Sequence, residues 1–176
     1  MSDELEVLLY GHPTLRTKCT PVETFDDELR AFVRRMEKTM FAEHGIGLAA
    51  PQVGDTRRVF LAEDQRDGLP KVIAFVNPEI TFQSSERDKF SEGCLSFPEL
   101  FADVSRPVRV KVRYQDLDGR EHELEDDGLL ARIVQHEYDH LEGTLFVDHL
   151  SMIKRKMIAR RLKDFQQRAR EQQART

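Results

Sequence analysis

Apolar positions follow two rhythms along this chain. Leu29, Phe32, Val33, Met36 and Met40 recur at i, i+3, i+4, i+7 and i+11, the stripe of an amphipathic helix. Thr24, followed three residues later by Asp27, resembles a capping box at its start, and Gly45 and Gly47 close it. The segments 57–63 and 71–82 read as strands, separated by a turn at Asp67-Gly68 and bent at Asn77-Pro78. Val108, Val110, Val112 and Tyr114 alternate with basic residues, as in a strand with one buried face. Asp118-Gly119 turns the chain into a partner strand over 120–125. Asp126 and Asp127 stand where an N-cap belongs, and 128–142 reads as a buried helix closed by Gly143. A last helix over about 150–173 carries an imperfect stripe of Leu150, Ile153, Met157, Phe165 and Ala169. Ahead of these elements, 7–21 reads as an extended arm with turns at Gly11-His12-Pro13 and Pro21.

Composition narrows the class. At 176 residues the chain is one domain's worth and needs no disulfide or metal to build a core. Its longest clean apolar run, Val72 to Val76, is far short of the roughly 20 residues of a bilayer span. The acidic start, Met1-Ser-Asp-Glu-Leu-Glu, lacks a signal peptide's basic and apolar regions, and two cysteines make no disulfide framework. A cytoplasmic protein with no membrane partner is the expectation. The net charge of −5 argues against a nucleic-acid binder overall, but it is unevenly spread. Residues 151–176 hold nine Lys and Arg against two Asp and Glu, so a basic tail follows an acidic body.

The chemistry concentrates in three short segments. His136-Glu137-Tyr138-Asp139-His140 is an H-E-x-x-H motif on a predicted helix. At about 100° per residue the two imidazoles share a face one turn apart and reach one metal ion. Glu137 flanks that ion, the place of a general base acting on metal-bound water. A catalytic site needs a third ligand and an open position. The protease pattern H-E-x-x-H-x-x-G-x-x-H would put that ligand at residue 146, which is Phe146, and His149 is offset by three. Cys94, in Glu92-Gly93-Cys94-Leu95-Ser96, is the better candidate, since a thiolate with two imidazoles makes a Cys/His₂ site suited to zinc. A buried structural cysteine is the other reading of Cys94, and Cys19, without ligand-like neighbours, is either structural or exposed. Gly45-Ile46-Gly47-Leu48-Ala49-Ala50-Pro51-Gln52 formally matches a dinucleotide fingerprint, yet a helix precedes it and Pro51 would disrupt one after it. No nucleotide cofactor is expected. The segment is either a tight backbone stretch that presents the Gln52 amide to a developing oxyanion, or a Gly-rich helix exit with a surface glutamine.

Together, Gly45–Gln52, Glu92–Ser96 and Gln135–Gly143 resemble the three motifs of the peptide deformylases, in that family's order. The resemblance implies an α+β fold, with antiparallel sheets packed around a central H-E-x-x-H helix and a C-terminal helix. It implies removal of the formyl group from the N-formylmethionine of newly made polypeptides. It implies Fe²⁺ as the metal, with Zn²⁺, Ni²⁺ or Co²⁺ as other occupants, held by Cys94, His136 and His140. Glu137 would be general base and acid, with Gln52 and the Leu95 N–H stabilising the oxyanion. Gly47, with Ile46 and Gly93, would hold the substrate backbone. Phe90, Leu129 and Ile133 would line the methionine slot, and Glu92 would pair with Arg106 to hold the cysteine loop. On this reading 1–150 is the catalytic part and 151–176 a basic helix of the same domain, which either meets the ribosome or is a solvated helix packed lightly on the body. A general metalloprotease and a non-catalytic, metal-stabilised RNA-binding module are the alternatives.

Overall fold

A five-stranded antiparallel sheet and a separate two-stranded hairpin surround one helix in the computed structural model, which describes residues 3–175. Met1, Ser2 and Thr176, at the ends of the two expected spans, lie outside the described residues. Helix α1 spans Asp27–Ala42, followed by strands β1 (Gly47–Ala49), β2 (Val59–Asp64) and β3 (Lys71–Gln83). The hairpin is β4 (Arg87–Cys94) and β5 (Phe97–Pro107). Strands β6 (Val110–Gln115) and β7 (Glu121–Asp126) complete the large sheet, in the order β1-β2-β3-β6-β7. Helix α2 spans Leu129–Leu141, α3 Met152–Met157 and α4 Ala159–Gln173. The architecture is α+β, as the motifs imply. Among the described residues no helix is long and apolar enough to cross a membrane.

Strand alternation divides the core in two. On β2, Phe60 and Ala62 face α2 and pack with Leu130, Ile133 and Val134, while Val59 and Leu61 face α1 and its Leu29, Val33, Met36 and Met40. The large sheet is thus a slab between the two helices. A third cluster joins Phe97, Leu100 and Val104 of the hairpin to Leu15 of the arm, Phe146 and Phe165 of α4.

Several local readings change. The cap of α1 is Asp26, not Thr24: its extended backbone lets the carboxylate accept from Leu29 N at 2.9 Å. Gly45 closes α1 by donating to the Met40 carbonyl at 2.8 Å, but Gly47 opens β1 instead. Strand β6 begins at Val110, because the Val108 N–H turns away to the Glu86 carbonyl. Gly128 is the N-cap of α2, and Asp126 supplies the carboxylate, accepting from Gly128 N and Ala131 N at 3.0 and 2.8 Å. The last helix is two helices, broken at Ile158. The bend at Asn77-Pro78 is present as a register shift between Val76 and Glu79.

The N-terminal arm ties the three motif segments together. Leu8 N donates to the Gln52 carbonyl, Tyr10 N to Ser96 and Cys19 N to Leu141, at 2.7–2.9 Å. Its Leu9 N–H reaches Gln172 Oε1 on α4 at 3.0 Å.

Candidate metal centre

Helix α2 presents His136 and His140 one turn apart, both buried, toward the end of β4 where Cys94 stands. One ligand atom from each of Cys94, His136 and His140 lies within 4.8 Å of the others. Cys94 Sγ and His140 Nε2 are 3.4 Å apart. Metal–sulfur and metal–nitrogen bonds of about 2.3 and 2.1 Å at a tetrahedral angle require about 3.5 Å for that edge. His136 Nδ1 meets Glu92 Oε2 at 3.0 Å, which leaves Nε2 for an ion. The donor set and its spacing therefore fit one divalent ion with a position to spare.

Glu137 lies beside this group, buried, and its Oε2 has no hydrogen-bond partner among the described residues. Burial raises its pKa to about 7. The two imidazoles are shifted in opposite directions. Burial pushes His140 well below the ordinary histidine value, assisted by the positive charge of His136. Burial opposes charging of His136 too, but its hydrogen bonds to Cys94 and Glu92 prevail and raise it. For Glu92, burial is outweighed by hydrogen bonds from His136 and Arg106, which bring its pKa to about 2.

Gln52 sits in a 3-10 turn, Ala50–Val53, that begins at Pro51's tight backbone, not on a surface. Its Oε1 accepts from Ala49 N at 2.9 Å, so the amide NH₂ points at Cys94 Sγ and Ser96 Oγ, at 3.4 and 3.2 Å. Leu95 and Ser96 form the turn between β4 and β5. Among the described residues strand β1 pairs with β2 alone, which leaves its other edge open. A Cβ on Gly47 would overlap the Glu137 carboxylate and come within 2.9 Å of the Ile133 side chain. Glycine is required there by close approach of strand and helix.

A cavity of about 490 Å³ opens beside these groups. Ile46, Gly47, Gln52, Phe90, Gly93, Cys94, Leu95, Leu129, Ile133, His136 and Glu137 all line it. His140 stands deeper, 1 % exposed. The structure thus brings together every site residue read from the sequence. Phe146, at the third-histidine position of the protease pattern, is buried and stacks 5.9 Å from the His136 ring. Cys19 lies in the core under the sheet, where burial pushes its thiol up to about 11.

The sequence reading missed part of the surroundings. Arg106 donates to Glu92 from Nε and Nη2, at 2.6 and 3.0 Å, as expected, but also to Asp139 at 2.8 Å. Arg132 is a second arginine on Glu92, at 3.1 Å, and it also pairs with Asp88. Phe101 adds a wall, with its ring against Gly93. Ser96 and Asp139 had a signal, their places in the cysteine and H-E-x-x-H motifs.

A Cys/His₂ group with an adjacent carboxylate, at the base of a cavity flanked by an open strand edge, defines a mononuclear metallohydrolase. The polypeptide deformylase family profile matches residues 4–156. Similar proteins include the peptide deformylase of Chromohalobacter salexigens, 49 % identical over 90 % of this chain and 93 % of that protein. That of Brucella suis is 46 % identical over 89 % and 90 %. Among solved structures, an Arabidopsis thaliana peptide deformylase in complex with an inhibitor superposes with a TM-score of 0.89 at 38 % identity, covering 96 % of this chain and 93 % of that one. The Thermotoga maritima enzyme gives 0.80 at 42 % identity, covering 84 % and 98 %. The chain belongs to the polypeptide deformylase family. The protease and RNA-module readings are not favoured by any of these matches.

Proposed function

We propose that this chain removes the N-formyl group from the formylmethionine of newly made polypeptides, releasing formate and a free amino terminus. The observation that carries this reading is Glu137, a buried carboxylate with an unpartnered oxygen beside the Cys94, His136 and His140 donors. Cys94 Sγ and the two histidine nitrogens would hold the ion, Fe²⁺ in our reading. When bound, it supplies Lewis acidity that activates water and polarises the formyl carbonyl.

The protein's residues do the rest. The free edge of β1 pairs with the extended peptide and lays the formyl end against Glu137. Ile133, Leu129 and Phe90 give the methionine side chain an apolar slot. Glu137 takes a proton from the attacking water and returns it to the amine nitrogen as the C–N bond breaks. A carboxylate with a pKa of about 7 suits both transfers near neutral pH. The Gln52 amide, oriented by Ala49, and the Leu95 N–H stabilise the negative oxygen of the tetrahedral intermediate.

Formate release from a short formyl-methionyl peptide, with protein prepared without oxygen and carrying one equivalent of Fe²⁺, tests the proposal. Release is expected only when the formyl group is present. No release from the loaded protein would overturn it.

The basic tail extends the reading to a cytoplasmic enzyme working at the ribosome, with 151–176 as a helical part of the same domain. Lys156, Arg160 and Lys163 are exposed, so phosphate contacts are open to them. Replacing all three with alanine should weaken ribosome binding and flatten its salt dependence, with formate release from short peptides unchanged. Equal affinity would remove the ribosome from the proposal.

A further inference from the structure

Arg132 lies one turn before His136 on α2, 9 % exposed. Its guanidinium reaches three places at once. Nη1 donates to Glu92 Oε1 at 3.1 Å and to the Val104 carbonyl at 3.0 Å. Nη2 pairs with the Asp88 carboxylate. Glu92 and Asp88 belong to β4 and Val104 to β5, so one side chain fastens α2 to both strands of the hairpin that carries Cys94.

The two oxygens of Glu92 are fully used. Oε1 accepts from Arg106 Nε and Arg132 Nη1, and Oε2 accepts from Arg106 Nη2 and meets His136 Nδ1. Each arginine has a second carboxylate, Asp139 for Arg106 and Asp88 for Arg132, so the buried positive charges are matched. Arg106 comes from β5, the same hairpin as Glu92. Arg132 alone comes from the helix that bears both imidazoles. With the Arg106–Asp139 pair, which also crosses from the hairpin to that helix, it fixes where the helix sits relative to Glu92 and Cys94.

We propose that Arg132 is a positioning residue of the metal centre, which holds Glu92 on His136 and sets the separation of the His136 imidazole from the Cys94 thiolate. The inference rests on the metal-centre reading above. It is tested with Co²⁺ as the probe, loaded into wild type, Arg132→Met and Arg132→Lys. Arg132→Met keeps length and loses every donor. It should release Co²⁺ to a chelator about tenfold faster, as is typical when a partner of a metal ligand is lost. Its visible Co²⁺ spectrum should shift, and kcat should fall with KM little changed. Arg132→Lys, with one donor group, should lie between. An unchanged spectrum and release rate in folded Arg132→Met, even with a lower melting temperature, would mean packing alone and would overturn the proposal. If Arg132→Met does not fold, Asp88→Ala decides, because Asp88 is exposed and its side chain holds the far end of Arg132. Faster Co²⁺ release supports the role, and an unchanged rate refutes it. These comparisons need no substrate, so wild-type protein that holds Co²⁺ and releases no formate would fail the deformylase reading separately.

Discussion

Helices α2 and α4 are similar in length and both are amphipathic, yet they treat polar side chains in opposite ways. Helix α2 buries Arg132, Gln135, His136, Glu137 and His140. Helix α4 buries only Phe165 and Ala169 and leaves its charges in water. A buried polar group without a partner costs about 1–3 kcal/mol, more if charged. On α2 the partners come from the hairpin: Glu92 for His136 and Arg132, the Pro107 carbonyl for Gln135. Where no partner exists among the described residues, at Glu137 Oε2 and His140 Nδ1, the groups are those at the candidate ion site. Unmatched polarity inside the protein marks the chemistry. Matched polarity around it marks the scaffold, and solvated polarity on α4 marks a surface.

The sharpest way to break this contrast is to remove the unmatched carboxylate. Glu137→Gln should lower the rate of formate release by roughly 10²–10⁴ while the ion stays bound, measured by steady-state kinetics beside metal analysis. A mild loss would return Glu137 to the scaffold.

The same group should leave a pH signature in chelator-treated protein. Unfolded, Glu137 ionises near 4.5; folded, it keeps its proton to about 7. Below 4.5 both forms are neutral and the group costs nothing. As pH rises from 4.5 to 7 only the unfolded state gives up the proton, so the folded state loses about 3 kcal/mol relative to Glu137→Gln. The difference between the two denaturant curves reports the Glu137 charge together with its coupling to His136. A difference independent of pH would show that the carboxylate is solvated after all.

On α4 the effects should be smaller and purely structural. Phe165→Leu leaves a gap beside Phe97, whose ring it meets edge-on at 6.0 Å, and should lower stability by about 1 kcal/mol with kcat/KM unchanged. A change in kcat/KM would mean that α4 communicates with the metal centre.

Much of this was legible in the sequence because the ligands sit at fixed local spacing: the two histidines four apart on a capped helix, the cysteine in a five-residue motif. The periodic stripe of α1 and the Asp118-Gly119 turn, with Gly119 at a φ of +78°, were legible for the same reason. What was hidden is long-range or unpatterned. Strand β4 reads Arg87-Asp-Lys-Phe-Ser-Glu-Gly-Cys94, exposed over most of its length, so no alternation shows. Its strand character comes from pairing with β5, which Pro98 disguises. Arg132 looked like any charged helix residue because its partners are 28–44 positions away. Thr24 failed as a cap because Asp26, closer to the first turn, offers a better acceptor.

The arm that links the three motif segments has a consequence for how the enzyme is made. It precedes every element that it ties together, and its hydrogen bonds go to residues 52, 96, 141 and 172. The bond from Leu9 to Gln172 spans 163 positions and closes nearly the whole chain into a loop. Such distant contacts form late and slow folding. The Leu9 contact must wait until α4 has been synthesised. Final clamping of the arm therefore follows the synthesis of α4.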